Sequence, residues 1–564
     1  MPDARDDNLH RNADDSIKAT IESVFIALIL AFIFRAYVVE AFVIPTGSMA
    51  PTLLGTHLCI DDRQTGYRFT VNPPQRRGEN DPVAITPYVQ TIISPMSGAE
   101  IDVPAGTPTY SGDRILVHKY IYAISSPRRW DVVVFKAPQE PQTNYIKRLI
   151  GLPNEQIHFL DGNVFASTDD GKTFHIARKT DPAENRHWQT IQRAVFQPVY
   201  HSQFTPLDPV AAGIAGWSTP WVANDTPDSA GAWEIEGRRS YVYAPQAETA
   251  GDAGNKASGG IHFDFKGLGP DPWKWEYPYN QLMGGNVGSP PPIEDIRLAA
   301  GVQPQAENLT VEFSTTARLG DPKQSFEHLV ARVDADGHVS LLARPVNPAD
   351  AGEARLLAEA QVAPLPRNRT TQIELWYVDQ EAIIFVAGDV ALRHRFDMTL
   401  KQMEHLPGPL QFPHVGIRLS AAATLHEVEL DRDLYYISEP TNGRSPRGGI
   451  YRLNDGGRHT EPAADLHADE FFVCGDNSPK SSDSRLWEWN PEPLYVTNSR
   501  TYVRALNPNR EINAAFFPDD GRDHAGIVPR DLMIGRAFFV YFPAWKRLGP
   551  FRYVPNFGDM RFIW

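Results

Sequence analysis

The chain has 564 residues, of which 42% are hydrophobic, 22% charged and 11% aromatic. This length allows two to four domains, and this composition excludes wholesale disorder and a collagen-like fibre. With 54 Lys and Arg against 69 Asp and Glu, the formal net charge is −15, which argues against nucleic acid as a partner. The 48 prolines and 41 glycines favour a mostly β chain of short strands joined by turns.

The N-terminal segment predicts a membrane anchor. Residues 1–18 are mostly polar, and residues 19–38 are mostly apolar, with no charge between Ser23 and Phe34. Twenty helical residues span about 30 Å, the thickness of one hydrocarbon core. A cleaved signal peptide and a buried globular helix remain alternatives, although the preceding tail is acidic and no clean small-x-small site follows. Basic residues flank both ends, so charge alone does not set the orientation.

A serine in a tight turn follows the apolar segment. Residues 42–53 read PheValIleProThrGlySerMetAlaProThrLeu, which places Ser48 between two prolines. By itself, such a serine is usually only a turn residue.

A lysine lies in a later apolar strand. The segment Gly112–Tyr120 predicts a turn entering a strand, and residues 130–135, 145–153 and 155–164 predict further strands, with a hairpin turn at 161–163. Period-2 alternation puts Lys147 on the same face as Tyr145 and Leu149. Either the lysine stem packs while its head reaches water, or the amine is desolvated and its pKa is lowered.

The last group of motifs lies near the C-terminus. Residues 471–485 contain Gly-Asp-Asn at 475–477, and apolar segments follow at 526–529 and 534–543. Together with the anchor, the serine turn and the lysine strand, these motifs resemble bacterial signal peptidase I, a membrane-anchored peptidase with a Ser-Lys dyad. The resemblance covers roughly residues 17–60, 110–166 and 468–545, in the family's order.

The resemblance implies a catalytic dyad. Ser48 matches the nucleophile and Lys147 the general base, which must be neutral to accept the Ser48 proton. Thr46 matches a hydroxyl that, with the Ser48 N–H, forms the oxyanion hole. Such a mechanism needs neither a histidine nor a cofactor.

The resemblance also implies supporting residues. Ser481 matches a serine that hydrogen-bonds the catalytic lysine, and Asp483 and Arg485 match a structural ion pair behind the site. His57 and His118 have no catalytic role in this interpretation. Cleavage after small residues at −1 and −3 would follow from bulky pocket walls, which match Phe42, Ile44, Met49, Leu53, Val134, Tyr145 and Ile146.

Partners and location also follow from the resemblance. The substrates would be pre-proteins that carry signal peptides, bound as an added strand. The protein would span the cytoplasmic membrane once, with its N-terminus inside and its catalytic domain outside, in contact with the lipid bilayer and the secretion machinery.

Some motifs depart from the family pattern. Ser478 replaces the arginine that usually follows Gly-Asp-Asn, and Glu488 replaces the glycine after Trp487. Residues 152–155 replace the usual Pro-Gly-Asp, and residues 488–525 interrupt the last motif. None of these changes removes Ser48 or Lys147.

Residues 61–110 form an insertion that contains Ser94-Pro-Met-Ser97-Gly98. This segment has the shape of a zinc-ribbon knuckle with serines in place of cysteines. The chain has only Cys59 and Cys474, so a four-thiolate site is excluded and we expect no metal. A ribbon-like module without metal and a plain β loop are both open. One disulfide bridge is also open, although Cys474 lies in an apolar run typical of a buried thiol.

Residues 167–465 form a much larger insertion. Strand patterns at 240–243, 260–265, 309–316, 328–334, 371–379, 381–387, 414–419 and 425–436 predict a β-sandwich. Their order resembles concanavalin-like jelly-roll domains, which often bind sugar, so the insert could take a glycan or a protein ligand. The aromatic residues at 273–279 would form a stacking platform or, more commonly, pack between domains.

The sequence therefore predicts a signal-peptidase-type all-β catalytic domain with one transmembrane helix and an inserted β-sandwich. The alternatives are a specialised Ser-Lys peptidase with few clients and a membrane-anchored binding protein on an inactive peptidase frame. The predicted divisions are a cytoplasmic tail (1–18), a transmembrane helix (19–38), an N-terminal catalytic segment (39–166, with insertion 61–110), the insert (167–465, sandwich about 230–438) and a C-terminal catalytic segment (466–564, with insertion 488–525).

Overall fold

The computed structural model describes the residue ranges given below, which include the region around Ser48. The described residues are 20–30, 32, 38–73, 89–138, 142–182, 187–204, 219–223, 233–236, 240–245, 258–264, 277–282, 293–321, 326–346, 354–406, 411–437, 464–487, 526–542, 546–549, 552–554 and 560–563.

The described structure is mostly β, as predicted. The first third contains β1 (Val39–Val43), β2 (Leu58–Asp61), β3 (Arg68–Val71), β4 (Gln90–Ile93), β5 (Glu100–Val103), β6 (Arg114–His118), β7 (Val132–Lys136), β8 (Asn144–Gly151), β9 (Gln156–Leu160), β10 (Asn163–Ser167) and β11 (His175–Ile176). The middle contains β12 (Gln197–His201), β13 (Trp221–Ala223), β14 (Trp233–Glu236), β15 (Ser240–Tyr243), β16 (Gly259–Phe263), β17 (Ile296–Pro304), β18 (Thr310–Ala317), β19 (Glu327–Asp334), β20 (His338–Pro345), β21 (Arg355–Gln361), β22 (Thr371–Val378), β23 (Glu381–Val386), β24 (Asp389–Arg395), β25 (Gly416–Leu419) and β26 (Ala423–Arg432). The C-terminal region contains β27 (Ala464–Asp465), β28 (Glu470–Cys474), β29 (Val528–Pro529), β30 (Met533–Phe542), β31 (Lys546–Gly549), β32 (Arg552–Val554) and β33 (Arg561–Phe562).

The helices are short. The α-helices are α1 (Ile121–Ile124), α2 (Trp188–Val195) and α3 (Leu400–Glu404). Single 3₁₀ turns lie at Gly47–Met49, Ser202–Phe204, Pro278–Asn280, Ser478–Lys480 and Arg530–Leu532.

The predicted anchor lies partly outside the described residues. Residues 20–30 are helical and exposed. Within the described part of the chain, no helix has both the length and the apolar character needed to cross a membrane.

One eight-stranded antiparallel sheet carries the serine turn and the lysine strand. Its order is β1-β6-β30-β7-β8-β28-β29, with β33 paired to β30. Strands from both ends of the sequence therefore alternate in one sheet, and β1 pairs with β6 while β8 pairs with β7 and β28. A second sheet has the order β11-β10-β9-β27, and its strand β9 directly follows β8 in the chain. The turn of its β9–β10 hairpin contains Asp161 and Gly162, both at positive φ.

Two large sheets contain the strands of the insert. One has the order β14-β15-β26-β17-β22-β23-β24, with β12 paired to β26, and the other has the order β13-β16-β25-β18-β19-β20-β21. Buried apolar side chains from both sheets form one hydrophobic cluster, so the sheets pack face to face. β12 and β13 precede residue 230 and also belong to these sheets.

The sequences of strands β22 and β23 are nearly continuously apolar because both faces of these strands are covered. Helix α2 covers their outer face, where the Phe196 ring meets Trp376 edge-on at 4.9 Å. Both faces are thus buried, which removes the alternation that a half-exposed strand shows.

Ion pairs hold parts of the insert together and connect it to the β9–β10 turn. Lys179, just after β11, lies 2.7 Å from Asp379 and 2.9 Å from Asp433. Arg318 of the insert lies 2.6 Å from Asp161 in the β9–β10 turn. Arg318 is buried and Asp161 is partly exposed, and apolar side chains of β9 and β10 share one hydrophobic cluster with the insert, so the insert packs against the β9–β10 hairpin.

The 61–110 insertion contains two hairpins, β2–β3 and β4–β5, that meet at a buried carboxylate. Asp62 Oδ2 accepts hydrogen bonds from the hydroxyls of Thr65, Ser94 and Ser97 at 2.8, 2.5 and 2.9 Å. Each hairpin contributes polar residues at i and i+3 before a glycine, the knuckle spacing of a ribbon. In the described structure, a hydrogen-bonded Asp62 therefore lies where a ribbon would hold its metal.

We expect Asp62→Ala to lower the free energy of opening these hairpins by about 3 kcal/mol, because three hydroxyls, two of them buried, lose their acceptor. Hydrogen exchange of the β2–β5 amides measures this change. Asp61→Ala is the matched control, since its ion pair with Arg68 is exposed and should contribute less than about 1 kcal/mol. Equal effects of the two variants would contradict the role given to Asp62.

Candidate active site

Ser48 lies in the 3₁₀ turn that follows β1. The Ile44 N–H bonds the Asp113 carbonyl at 2.9 Å, and the Asp113 carboxylate accepts the Leu54 N–H at 3.1 Å, so both ends of the turn are fixed. Ser48 is half-buried, and Thr46 is exposed with no side-chain capping bond.

Lys147 approaches Ser48 from β8. Its Nζ lies 2.6 Å from the Ser48 Oγ, across 99 residues of sequence. Lys147 pairs with Val133 on β7 and is 5% exposed. The amine is therefore desolvated, which is the second of the two alternatives that the strand pattern left open.

Burial has an electrostatic consequence for Lys147. Desolvation lowers the pKa of its amine from 10.5 to about 8, although the negative charge of Asp483 opposes the shift. At pH 7, about one molecule in ten then carries a neutral lysine, against fewer than about one in a thousand for an ordinary lysine.

The Gly-Asp-Asn loop at residues 475–477 is hydrogen-bonded to the backbone of the serine turn. Asn477 donates from its backbone N–H to the Ser48 carbonyl and from Nδ2 to the Gly47 carbonyl, both at 3.0 Å. A side chain at Gly475 would come within 2.3 Å of the Ser48 carbonyl oxygen, so the close approach requires glycine.

Asp483 and Arg485 form a buried, bidentate ion pair at 2.8 and 2.6 Å. Burial raises the pKa of Asp483, but the charge and hydrogen bonds of Arg485, the Gly475 N–H and the charge of Lys147 together lower it below its usual value. The hydrogen bond expected from Ser481 to Lys147 is not present. Ser481 Oγ is buried against Gly475 and has no hydrogen-bond partner among the described residues.

A second buried ion pair lies next to Lys147 and was not predicted from the sequence. Arg148, next to Lys147, makes two hydrogen bonds of 2.8 and 2.7 Å to Asp476, and Tyr436 of the insert donates to the same carboxylate at 3.0 Å. Asp476 was visible in the Gly-Asp-Asn motif, but no pattern indicated its partners.

Most of the expected pocket residues lie together. One hydrophobic cluster contains six of the seven: Phe42, Ile44, Met49, Leu53, Val134 and Ile146. Tyr145 instead packs between Phe135 and Trp487 in the neighbouring cluster, with its ring 5.9 Å from Lys147 Nζ.

The remaining candidates have ordinary surroundings. His57 is buried and hydrogen-bonds the Gly55 carbonyl at 2.7 Å, and His118 packs against Phe538. Cys59 and Cys474 are not joined in a disulfide, and Cys474 is fully buried as expected. Tyr277 and Tyr279 are buried in packing, whereas the remaining aromatics of the 273–279 segment and the 488–525 insertion lie outside the described residues.

Comparison with known proteins confirms the resemblance that the motifs indicated. Residues 17–79 and 83–210 match the family model for signal peptidase, peptidase S26. The signal peptidase I of Rickettsia bellii is 26% identical over 165 residues, which cover 29% of this chain and 44% of that protein. The signal peptidase I of Pseudomonas aeruginosa is 28% identical over 139 residues, which cover 24% and 33%. The chain thus spans less than half the length of these relatives.

Some solved structures also resemble part of the chain. A carbohydrate-binding module from Bacillus subtilis is 13% identical, with 38% of this chain and 96% of that chain covered and a TM-score of 0.21. A β-glucanase from Bacillus licheniformis is 7% identical, with 39% and 94% covered and a TM-score of 0.25. Scores of this size support no conclusion about a ligand.

We expect Arg148→Met to lower the unfolding free energy of the catalytic sheet by about 3–5 kcal/mol, because Asp476 would keep a buried charge without its partner. Hydrogen exchange of the β7 and β8 amides measures the loss. Arg536→Met is the control on the same sheet, since the ion pair of Arg536 with Asp131 is partly exposed. A loss as small as that of the control would show that the Arg148 pair is dispensable.

Proposed function

The chain is related to the signal peptidases over residues 17–210, and on this premise we propose that it is a serine endopeptidase that removes signal peptides from exported pre-proteins. The observation that carries the proposal is the 2.6 Å contact between Ser48 Oγ and the buried Lys147 Nζ. The same contact favours an active peptidase over a binding protein on an inactive frame.

The proposed reaction begins at the dyad. Neutral Lys147 accepts the Ser48 proton while Oγ attacks the scissile carbonyl carbon. The Ser48 N–H and the Thr46 hydroxyl stabilise the oxyanion of the tetrahedral intermediate. As the intermediate collapses, Lys147 gives the proton to the leaving amine, and an ester to Ser48 remains.

Deacylation repeats the proton transfers. Lys147 removes a proton from water, which attacks the ester carbonyl, and the proton then returns to Ser48 Oγ. The buried Asp483–Arg485 pair helps to keep Lys147 a base, because Arg485 engages the carboxylate that would otherwise stabilise the ammonium.

Substrate would bind as an extended strand. β1 is an edge of its sheet among the described strands, and β28 pairs only with the 148–151 end of β8. Residues 144–147 of β8 and the β1 edge thus offer backbone groups beside Ser48. The six-residue apolar cluster supports pockets for small side chains at −1 and −3, since bulky walls leave little room.

Location and domain division belong to the proposal. We place the chain in the cytoplasmic membrane through residues 19–38, with residues 39–166 and 466–564 outside the cytoplasm as the catalytic domain. The insert at 167–465 would be a β-sandwich domain, which the packing of its two sheets supports.

Cleavage of a pre-protein with an Ala-x-Ala site should depend on both dyad residues. We expect Ser48→Ala and Lys147→Met each to lower kcat by at least about 10⁴-fold, because neither group acts without the other. Lys136→Met is the matched control, an exposed lysine on β7 that should leave kcat unchanged. Turnover of several such pre-proteins by Ser48→Ala at the wild-type rate would refute the dyad.

The rate should also depend on pH in one direction. Because the base must be neutral and the pKa of Lys147 is about 8, kcat/KM should rise with pH and level off above about pH 9. A profile of wild type from pH 6 to 10 measures this. A midpoint near 10.5 would mean that Lys147 is not desolvated in solution.

A further inference from the structure

The insert reaches the serine turn through one short segment. The 3₁₀ turn Pro278–Asn280 lies beside Gly47 and Asn477, and the side chains of Tyr279 and Asn280 are 2% and 0% exposed. The next residue, Gln281, exchanges hydrogen bonds of 2.7 and 2.8 Å with the backbone of Ile93 on β4. This segment is therefore fixed on both sides by the catalytic region.

Asn280 and Asn477 form a reciprocal amide pair. Each donates from Nδ2 to the other's Oδ1 at 2.8 Å, across 197 residues of sequence. Asn477 uses its second Nδ2 hydrogen for the Gly47 carbonyl at 3.0 Å. The pair thus sets the rotation of the Asn477 amide that holds the backbone next to Ser48.

Tyr279 contacts the same turn from another direction. An added Cβ at Gly47 would lie 2.0 Å from Cε1 of Tyr279, so the ring packs directly against the glycine. The Tyr279 hydroxyl donates to the Thr56 carbonyl at 3.1 Å. Gly47 is consequently held between an aromatic ring and an amide.

We propose that Tyr279 and Asn280 of the insert are positioning residues for the Ser48 nucleophile, acting through Gly47 and Asn477. This inference rests on the proposed peptidase function. Attack requires Ser48 Oγ and its backbone N–H to be placed within about 0.5 Å, and misplacement by about 1 Å can cost 10²-fold in rate. Without Asn280, the buried Asn477 amide loses two of its three bonds, and only the bond to the Gly47 carbonyl is left to set its rotation.

The experiment measures kcat and KM of the full chain in detergent on an Ala-x-Ala pre-protein. We expect Asn280→Ala to lower kcat by about 10- to 100-fold, with KM within about threefold of wild type and the acid limb still near pH 8. Tyr279→Phe, which keeps the ring and removes one hydrogen bond, should lower kcat by about fivefold.

A double variant tests the route through Asn477. If Asn280 acts only by orienting Asn477, Asn280→Ala combined with Asn477→Ala should have the kcat of Asn477→Ala alone. Additive losses would overturn the proposal.

Two controls separate positioning from general damage to the insert. Tyr377→Phe removes a buried hydroxyl bond to the Arg318 carbonyl, and Gln192→Ala removes a buried amide bond to Asp433, both away from Ser48. Both should keep the wild-type kcat, and losses equal to those of Tyr279→Phe and Asn280→Ala would overturn the proposal. Wild-type kcat in Asn280→Ala would also overturn it, whereas an inactive wild type would instead refute the peptidase function.

Discussion

The site depends on a lysine amine that the fold keeps away from water. Lys147 is 5% exposed and faces Ser48 rather than a carboxylate. If Asp483 paired with Lys147 directly, the ammonium would be stabilised and the amine would stop being a base. Arg485 prevents this by taking both oxygens of Asp483, and Arg148 takes both oxygens of Asp476. Each buried carboxylate next to the dyad is thus paired with an arginine and not with Lys147.

This arrangement needs strands from distant regions of the chain. Lys147 comes from β8, the Gly-Asp-Asn loop follows β28, and the serine turn follows β1. One antiparallel sheet brings all three together, with β30 between β6 and β7 to close it. Insertions of any length are tolerated between these strands as long as the sheet order is kept, because loop closure costs little more for longer loops.

The large insert is one such insertion, and its residues also contact the region around Ser48 and Lys147. Tyr436 at its end bonds Asp476, Arg318 pairs with the β9–β10 turn, and Asn280 meets Asn477. Asn280 is fully buried and hydrogen-bonded to Asn477, so the insert contributes directly to the packing around the serine turn. The insert is therefore coupled to the dyad through buried hydrogen bonds, whatever its sheets bind.

The sequence by itself predicted the candidate dyad. Ser48, Lys147 and the Asp483–Arg485 pair lie in short local motifs. Eight strands of the insert show in their alternation or their turns (β15, β16, β18, β19, β22, β23, β25 and β26), but β12, β13, β14, β20, β21 and β24 were not predicted. Strand β17 was missed, although it lies between β26 and β22, because its small residues Ala299, Ala300 and Gly301 give a weak strand pattern. The bond expected from Ser481 to Lys147 was wrong, since a motif fixes neighbours along the chain and not a side-chain rotation.

Only the tertiary structure decided which of two lysine environments applies and which residues surround the serine turn. Desolvation of Lys147 arises from strands far apart in sequence, so no local pattern carries it. The Asn280–Asn477 pair joins residues 197 positions apart with no periodic signal. Sequence motifs reveal the candidate reactive groups, because a reaction requires particular residue types in particular local surroundings. The contacts that hold those groups depend on how the whole chain packs.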